Sequence, residues 1–380
     1  MTSTILGIGT ANPEHSMSQT ESAQLASEVF TMDERQQRVL NVLYKKSGVQ
    51  NRQTVLPHRI ATQWLPGEEA AESNVITANT LGPSTQERME FYNATAPTLA
   101  VESARAALHH SQVTSESITH LVTVSCTGFG APGFDIELIE QLMLKPTTQR
   151  AHIGFMGCHG AVNGMRVAQG LAESNPGSRV LLVATECCSL HYRFQYEPDL
   201  IMGNALFGDG SAALVIGNAQ DKSTSPGSAS SANPEQTPLA QLSATGCCLI
   251  PDSKDAMSWS VGDHGFEMFI SAQVPNLIEA NLRPWLEAWL AEQGLAMEDV
   301  GGWAIHPGGP RILSAVQESL NLTGDDLACS RSILSEFGNM SSPTILFILE
   351  RMLSQRGSDA LPCVAIGFGP GLMAEVALFR

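Results

Sequence analysis

Apolar positions along this chain fall into two alternating rhythms. Short, mostly apolar runs at residues 4–9, 120–125, 151–155, 179–185, 239–250, 301–306 and 362–367 predict strands. Apolar residues spaced by three and four predict helices over 18–30, 33–47, 85–110, 135–143, 159–173, 266–292, 311–320 and 341–355. Strand and helix alternate from residue 120 onward, which implies a mostly parallel sheet covered by helices. One stretch follows neither rhythm. Residues 219–238, rich in Ser, Pro and Gly, predict a mobile surface loop between two halves, 1–218 and 239–380.

The halves repeat each other. The strand at 120–125 runs into Cys126 and a Gly/Pro turn, and Gly157-Cys158 then opens a helical stretch. The strand at 301–306 runs into His306 and a Gly/Pro turn, and Gly338-Asn339 opens another. Cys126 and Cys158 are 32 residues apart; His306 and Asn339 are 33 apart. Each half closes on a glycine turn feeding an apolar strand, after Phe207 in one and after Phe368 in the other. A repeat this long is a duplicated domain rather than a solenoid unit. Two such halves facing each other bring Cys158, His306 and Asn339 to one place.

Composition narrows the function. With 380 residues, 43% of them hydrophobic and 16% charged, the chain has the make-up of a globular enzyme able to bury a large core. A formal charge of −17 argues against general nucleic-acid binding, which needs a basic footprint. An anionic ligand therefore needs a local basic patch, for which Arg38, Lys45, Lys46 and Arg52 are the candidates, on a helix expected to stop at Gly48. The same cations also suit a solvated helix C-terminus. Eight cysteines without CxxC or Cys/His ligand spacing predict neither a disulfide framework nor a zinc site, and they suit a reducing compartment. No apolar run has the length of a membrane span, and the first residues carry no signal-like pattern, so a cytoplasmic protein is expected.

Cys158 lies after a glycine that permits a sharp strand-to-helix turn, and a helix N-terminus favours thiolate. The expectation is a thiol titrating below its ordinary value of about 8.5. His306 ends an apolar strand at a rigid Pro-Gly-Gly-Pro turn, and Asn339 occupies the place equivalent to Cys158. Each has a plainer explanation: a buried small hydrophobe, a satisfied core imidazole, an N-cap. Together they form an activated nucleophile with its oxyanion donors.

The segments around Gly157-Cys158-His159-Gly160-Ala161, Ala205 to Leu214, Ile305 to Leu313, Ser335 to Ser342 and Gly367 to Leu372 resemble type III polyketide synthases, the chalcone and stilbene synthase family. The likeness runs from Gly7 nearly to the C-terminus. It implies a thiolase-like α/β fold of duplicated half-domains, mixed sheets covered by helices in five layers (α-β-α-β-α), and a homodimer. It also implies an acyltransferase that loads an acyl-CoA on Cys158 and extends it repeatedly with malonyl-CoA, with His306 as partner and Asn339 aiding decarboxylation. No metal or other cofactor is implied beyond the CoA thioesters themselves. Phe207 matches the family's gatekeeper, and Gly308, Gly309, Ser341, Gly369 and Pro370 fall at substrate-binding positions.

Cys126, His191, Trp259 and Met268 stand where plant enzymes place a threonine, a threonine, a glycine and a phenylalanine along the cavity. Ala131 stands where a methionine reaches across the dimer, and of the plant CoA-phosphate cluster Lys46 is the clear survivor. These departures resemble the microbial branch, with fatty acyl starters and alkylresorcinol or alkylpyrone products. The alternatives are a single-condensation enzyme like ketoacyl synthase III and an inactive scaffold of the same fold. The His306 turn and the Gly-Phe-Gly-Pro-Gly ending weigh against the first; the intact Cys158, His306 and Asn339 weigh against the second.

Overall fold

A computed structural model describes residues 3–30, 32–56, 81–196, 198–218 and 238–380. Most of residues 219–238, the expected loop, lie outside the described residues. The first half contributes β1 (Ser3–Ala11), β4 (His120–Ser125), β5 (Gln149–Gly154), β6 (Arg179–Cys187) and β7 (Asp209–Asn218). The second contributes β8 (Ala240–Leu249), β11 (Gly302–Ile305), β12 (Cys363–Gly369) and β13 (Met373–Phe379). They form one sheet in the order β11-β12-β13-β8-β1-β7-β6-β4-β5, and the mostly parallel sheet expected is corrected to a mixed one with five antiparallel and three parallel pairings. Pairings mirror each other across the β1/β8 junction. β4 is parallel to β6 and β6 antiparallel to β7; β11 is parallel to β12 and β12 antiparallel to β13. The junction is short, with Ser3, Thr4 and Ile5 facing Leu242, Gln241 and Ala240.

Three helical layers cover the two half-sheets. Helix α3 (Thr85–Ser111) begins at a Ser84/Glu87 capping box, two reciprocal bonds that satisfy otherwise orphan N–H groups. Its Tyr92, Ala96 and Ala100 pack on Leu181, Val183 and Val215. The central layer is α5 (Gly160–Ser174) and α10 (Thr344–Arg356), whose Val162, Met165, Leu346 and Leu349 share one core with both half-sheets. The outer layer on the second half is α7 (Val274–Glu292) and α8 (Pro310–Leu320), packed on Val364, Ile366 and Val376. Each fully buried Leu or Ile here contributes about 1.5–3 kcal/mol. The central layer matters most for function, because α5 and α10 start beside Cys158 and Asn339.

The helix expected over 266–292 is corrected at its start. Residues 257–270 form a hairpin, β9 (Met257–Gly262) and β10 (Gly265–Ile270), and the helix begins only at Val274. Gly262 pairs with Gly265 across the two-residue loop Asp263-His264, a tight hairpin turn, and Trp259 lies opposite Met268. Two helices absent from the sequence expectations are α6 (Pro198–Leu206) and α9 (Ala328–Phe337). Between α1 (Gln19–Val29) and α3 lie α2 (Glu34–Lys46) and β3 (Asn51–Thr54), which pairs with β2 (His15–Ser18); α4 (Phe134–Gln141) follows β4. Among the described residues no helix is long and apolar enough to cross a membrane.

Candidate active site

The duplicated turns are alike in backbone as well as in sequence. Gly157 has φ +76 and Gly338 has φ +72, values open to glycine and strained for other residues. Each turn leads directly into a candidate residue, Cys158 or Asn339, and the Asn339 side chain hydrogen-bonds the Cys158 thiol. Cys158 sits in a 3-10 turn, Gly157–His159, just before α5. Asn339 is anchored through its backbone: its N–H donates to Leu206 O at 2.8 Å and its carbonyl accepts from Gly208 N–H at 3.0 Å. Its Oδ1 accepts from Ser341 N–H at 2.8 Å, which turns the amide group toward Ser341.

Cys158 opens onto a cavity of about 410 Å³ lined also by Cys126, Thr127, Cys188, Phe207, Met257, Trp259, Met268, Ser341 and Pro370. A second cavity of about 660 Å³ lies beyond, lined by His191, Tyr192, Phe266, Arg52 and Met17 among others. Cys188, Phe207, Trp259 and Met268 line both, so these four side chains form the wall between the chambers. The cavity positions expected from sequence, Cys126, His191, Trp259, Met268, Phe207, Ser341 and Pro370, are therefore all brought together.

Two of them also brace the hairpin. Trp259 Nε1–H donates to Cys126 O at 2.7 Å. Phe266 N–H donates to His191 Nδ1 at 2.9 Å, and His191 Nε2 lies 2.6 Å from Thr127 O. That geometry requires the His191 proton on Nε2. Burial pushes the imidazole down to about 3, so His191 is a neutral strut.

The electrostatics correct the expected thiolate. Burial pushes the Cys158 thiol up to about 11, outweighing the opposing hydrogen bonding from Ser341 and Asn339. The side chain is partly exposed, to a mostly apolar pocket, so desolvation still favours the neutral thiol. His306 is 1% exposed, and burial followed by the nearby His159 holds it down to about 3. Among the described residues neither ring nitrogen of His306 has a hydrogen-bond partner. No hydrogen bond joins Cys158 to His306 among the described residues, and burial favours the neutral form of each.

Sequence reasoning missed a buried carboxylate. Glu186, at the end of β6, accepts from Cys126 N–H (2.9 Å), Thr127 N–H (3.0 Å), Thr127 Oγ1 (2.6 Å) and Ser342 Oγ (2.6 Å). Cys126 Sγ is 3.2 Å from Glu186 Oε1 and 3.2 Å from Ser341 Oγ. A lone Glu inside an apolar strand was the available signal, since such a group is almost never fully buried without partners. Burial first, and then the charge of Glu186, raise the Cys126 thiol well above its usual range.

Other expected positions lie outside the chambers. Gly308 and Gly309 form the turn after His306, and Gly309 begins α8 as its N-cap. Gly369 closes β12 against His159. Ala131 is exposed, and Lys46 is exposed in the last turn of α2. Arg52 is corrected. It lies on β3, not on the basic helix, and is buried, donating to the carbonyls of Asn204, Phe207 and Ala205 and to Gln19, so it is no part of a surface anion patch.

Comparison with known proteins agrees with this arrangement. Residues 1–220 match the model for chalcone and stilbene synthases, N-terminal domain, and residues 241–380 the model for the C-terminal domain. The chain is 32% identical over 387 aligned positions to type III polyketide synthase C of Arabidopsis thaliana, covering 99% of this chain and 94% of the relative. Its structure resembles PKS-I from the brown alga Ectocarpus siliculosus, with TM-score 0.87, 28% identity and coverage of 100% of this chain and 98% of that one. It also shares the fold of the C-terminal type III polyketide synthase domain of Steely1, a type I/III hybrid from Dictyostelium, with TM-score 0.85, 24% identity and coverage of 100% and 99%.

Proposed function

The chain belongs to the chalcone and stilbene synthase family of type III polyketide synthases, and from that premise we propose that Cys158 carries the growing chain. The family uses acyl-CoA and malonyl-CoA. The observation that carries the proposal is that Cys158, at the glycine turn before α5, opens onto an apolar chamber with hydrogen bonding from both Asn339 and Ser341. His306 accepts the thiol proton as the thiolate attacks the starter thioester, and the departing CoA sulfur takes that proton. Malonyl-CoA then loses CO₂, and the enolate oxygen that develops is met by hydrogen bonds from Asn339 and His306. The enolate carbon attacks the Cys158 thioester, which transfers the chain and releases the thiolate.

The starter is a fatty acyl group, and cyclisation gives an alkylresorcinol or alkylpyrone. The second chamber, which adjoins the first at Phe207, Trp259 and Met268 and has a mostly apolar surface, supports this as a place for an aliphatic tail. The enzyme needs no metal or other cofactor, acts in the cytoplasm, and is a homodimer. The exposed Phe129 and Ala131 support that dimer contact. Lys46 holds a CoA phosphate at the end of α2. Labelled malonyl-CoA, supplied with medium- and long-chain acyl-CoA starters and no acyl carrier protein, tests the proposal. Products with several extensions support it; a single extension would assign the ketoacyl synthase III reaction, and no incorporation would leave a scaffold.

A further inference from the structure

His159 follows Cys158 directly, is 2% exposed, and has no part in the reaction described above. Its Nδ1 lies 2.7 Å from Asn163 Oδ1, and Asn163 Nδ2 donates to Glu375 Oε1 at 2.9 Å. An ionised carboxylate only accepts, so the amide must turn its NH₂ to Glu375 and its oxygen to the imidazole. That order leaves Nδ1 of His159 as the donor and fixes its tautomer. Arg166 completes the network through an ion pair with Glu375 and a bond to Gly246 O at 3.2 Å. The ring presses on β12 so closely that a Cβ on Gly369 would meet Nε2 at 2.4 Å, and one on Gly367 would meet His159 Cβ at 3.1 Å. On the same strand, Ile366 O accepts the His306 N–H at 2.8 Å.

We propose that His159 is a positioning residue: held by Glu375 through Asn163 as an uncharged Nδ1–H imidazole, it seats Cys158 against β12, the strand whose Ile366 carbonyl holds the His306 backbone, and keeps a positive charge away from Cys158 and His306. This rests on Cys158 and His306 being the reacting groups. The ionisable groups facing His159 are Cys158 on its own turn, Arg166 on α5, Glu375 on β13 and His306 at the end of β11. Arg166 and Glu375 offset each other, so protonation of His159 itself is the event that changes the local field. Burial, the largest cause, holds that protonation below the ordinary imidazole range.

Asn163→Asp tests this by giving Nδ1 a carboxylate partner, which favours the imidazolium. Alkylation of the Cys158 peptide by iodoacetamide, mapped by mass spectrometry from pH 5 to 11, is expected to move to lower pH by about one unit or more, as for a thiol beside a cation. The double variant Asn163→Asp/His159→Phe is expected to lose that shift. A profile that superimposes on the parent's, or a shift that survives in the double variant, overturns the proposal. If Asn163→Asp does not fold by circular dichroism, His159→Phe alone decides: condensation kcat is expected to fall about tenfold at unchanged malonyl-CoA KM, an orientation effect, and an unchanged kcat overturns it. Alkylation requires no turnover, so a wrong assignment of the acyl carrier would surface in the labelled malonyl-CoA assay and not in this profile.

Discussion

Cys126 and His306 occupy equivalent ends of β4 and β11, yet one is tied down and the other is left free. Cys126 is held by Glu186 and Ser341, and its carbonyl by Trp259. His306 has no partner for either ring nitrogen among the described residues. The neighbouring strand explains the difference. β6 carries Glu186 next to its last residue, whereas the corresponding stretch of β12, Ile366-Gly367-Phe368-Gly369, offers no polar side chain. A single carboxylate ties Cys126 down, and among the described residues nothing equivalent ties down the His306 ring. A buried imidazole with unsatisfied nitrogens costs stability, and such a cost is expected where a site waits for its ligand.

The comparison breaks most sharply at His306. His306→Ala is expected to lower condensation by about 10²–10⁴-fold, the range for removing a positioned acid–base group. Cys126→Ala should retain turnover while its melting point falls, consistent with about 1 kcal/mol for a lost buried hydrogen bond. Equal losses of turnover in the two variants would erase the distinction. Asn339→Ala comes next: loading of Cys158 should survive while malonyl-CoA decarboxylation falls by about 10²–10³-fold, as for a lost oxyanion donor. Parallel loss of both activities would make Asn339 a purely structural residue.

A smaller effect, on the product rather than the rate, is expected from the chamber wall. Trp259→Gly joins the two chambers and should shift products toward longer chains or bulkier starters with Cys158 acylation intact. The same change removes a brace of the hairpin and leaves a hole costing about 3–5 kcal/mol, so a thermal melt is run beside the product assay. Destabilisation with an unchanged product profile would make Trp259 ordinary core. The mildest effect is in pH. A thiol pushed up to about 11 keeps its proton longer than an ordinary one, so the alkylation limb of Cys158 should lie on the alkaline side. A plateau reached near pH 7 would restore the ion pair and contradict the burial argument.

Much of this was legible in the sequence because the repeat carries its own register. Cys158, His306 and Asn339 were found from matching intervals, and the structure gives Gly157 and Gly338 matching turns. The hairpin at 257–270 was obscured because Phe266, Met268, Phe269 and Ile270 are apolar at spacings that also suit a helix. The protonation state of Cys158 was misjudged for a different reason. A helix terminus is visible in sequence, but the burial that opposes it is not, because Cys126, Trp259, Met268 and Pro370, which line the pocket around Cys158, are distant in the chain. Glu186 and the Asn163–Glu375 network were equally hidden, since their partners meet only across strands.

The central claim is that of the three thiols lining the chamber, Cys158 and neither Cys126 nor Cys188 takes the acyl group. Incubation with a fatty acyl-CoA alone, followed by digestion and mass mapping of every cysteine peptide, tests it without any need for extension. The account predicts one acyl adduct per chain, on Cys158, and none in Cys158→Ala. An adduct on Cys126, or one that persists in Cys158→Ala, would contradict it.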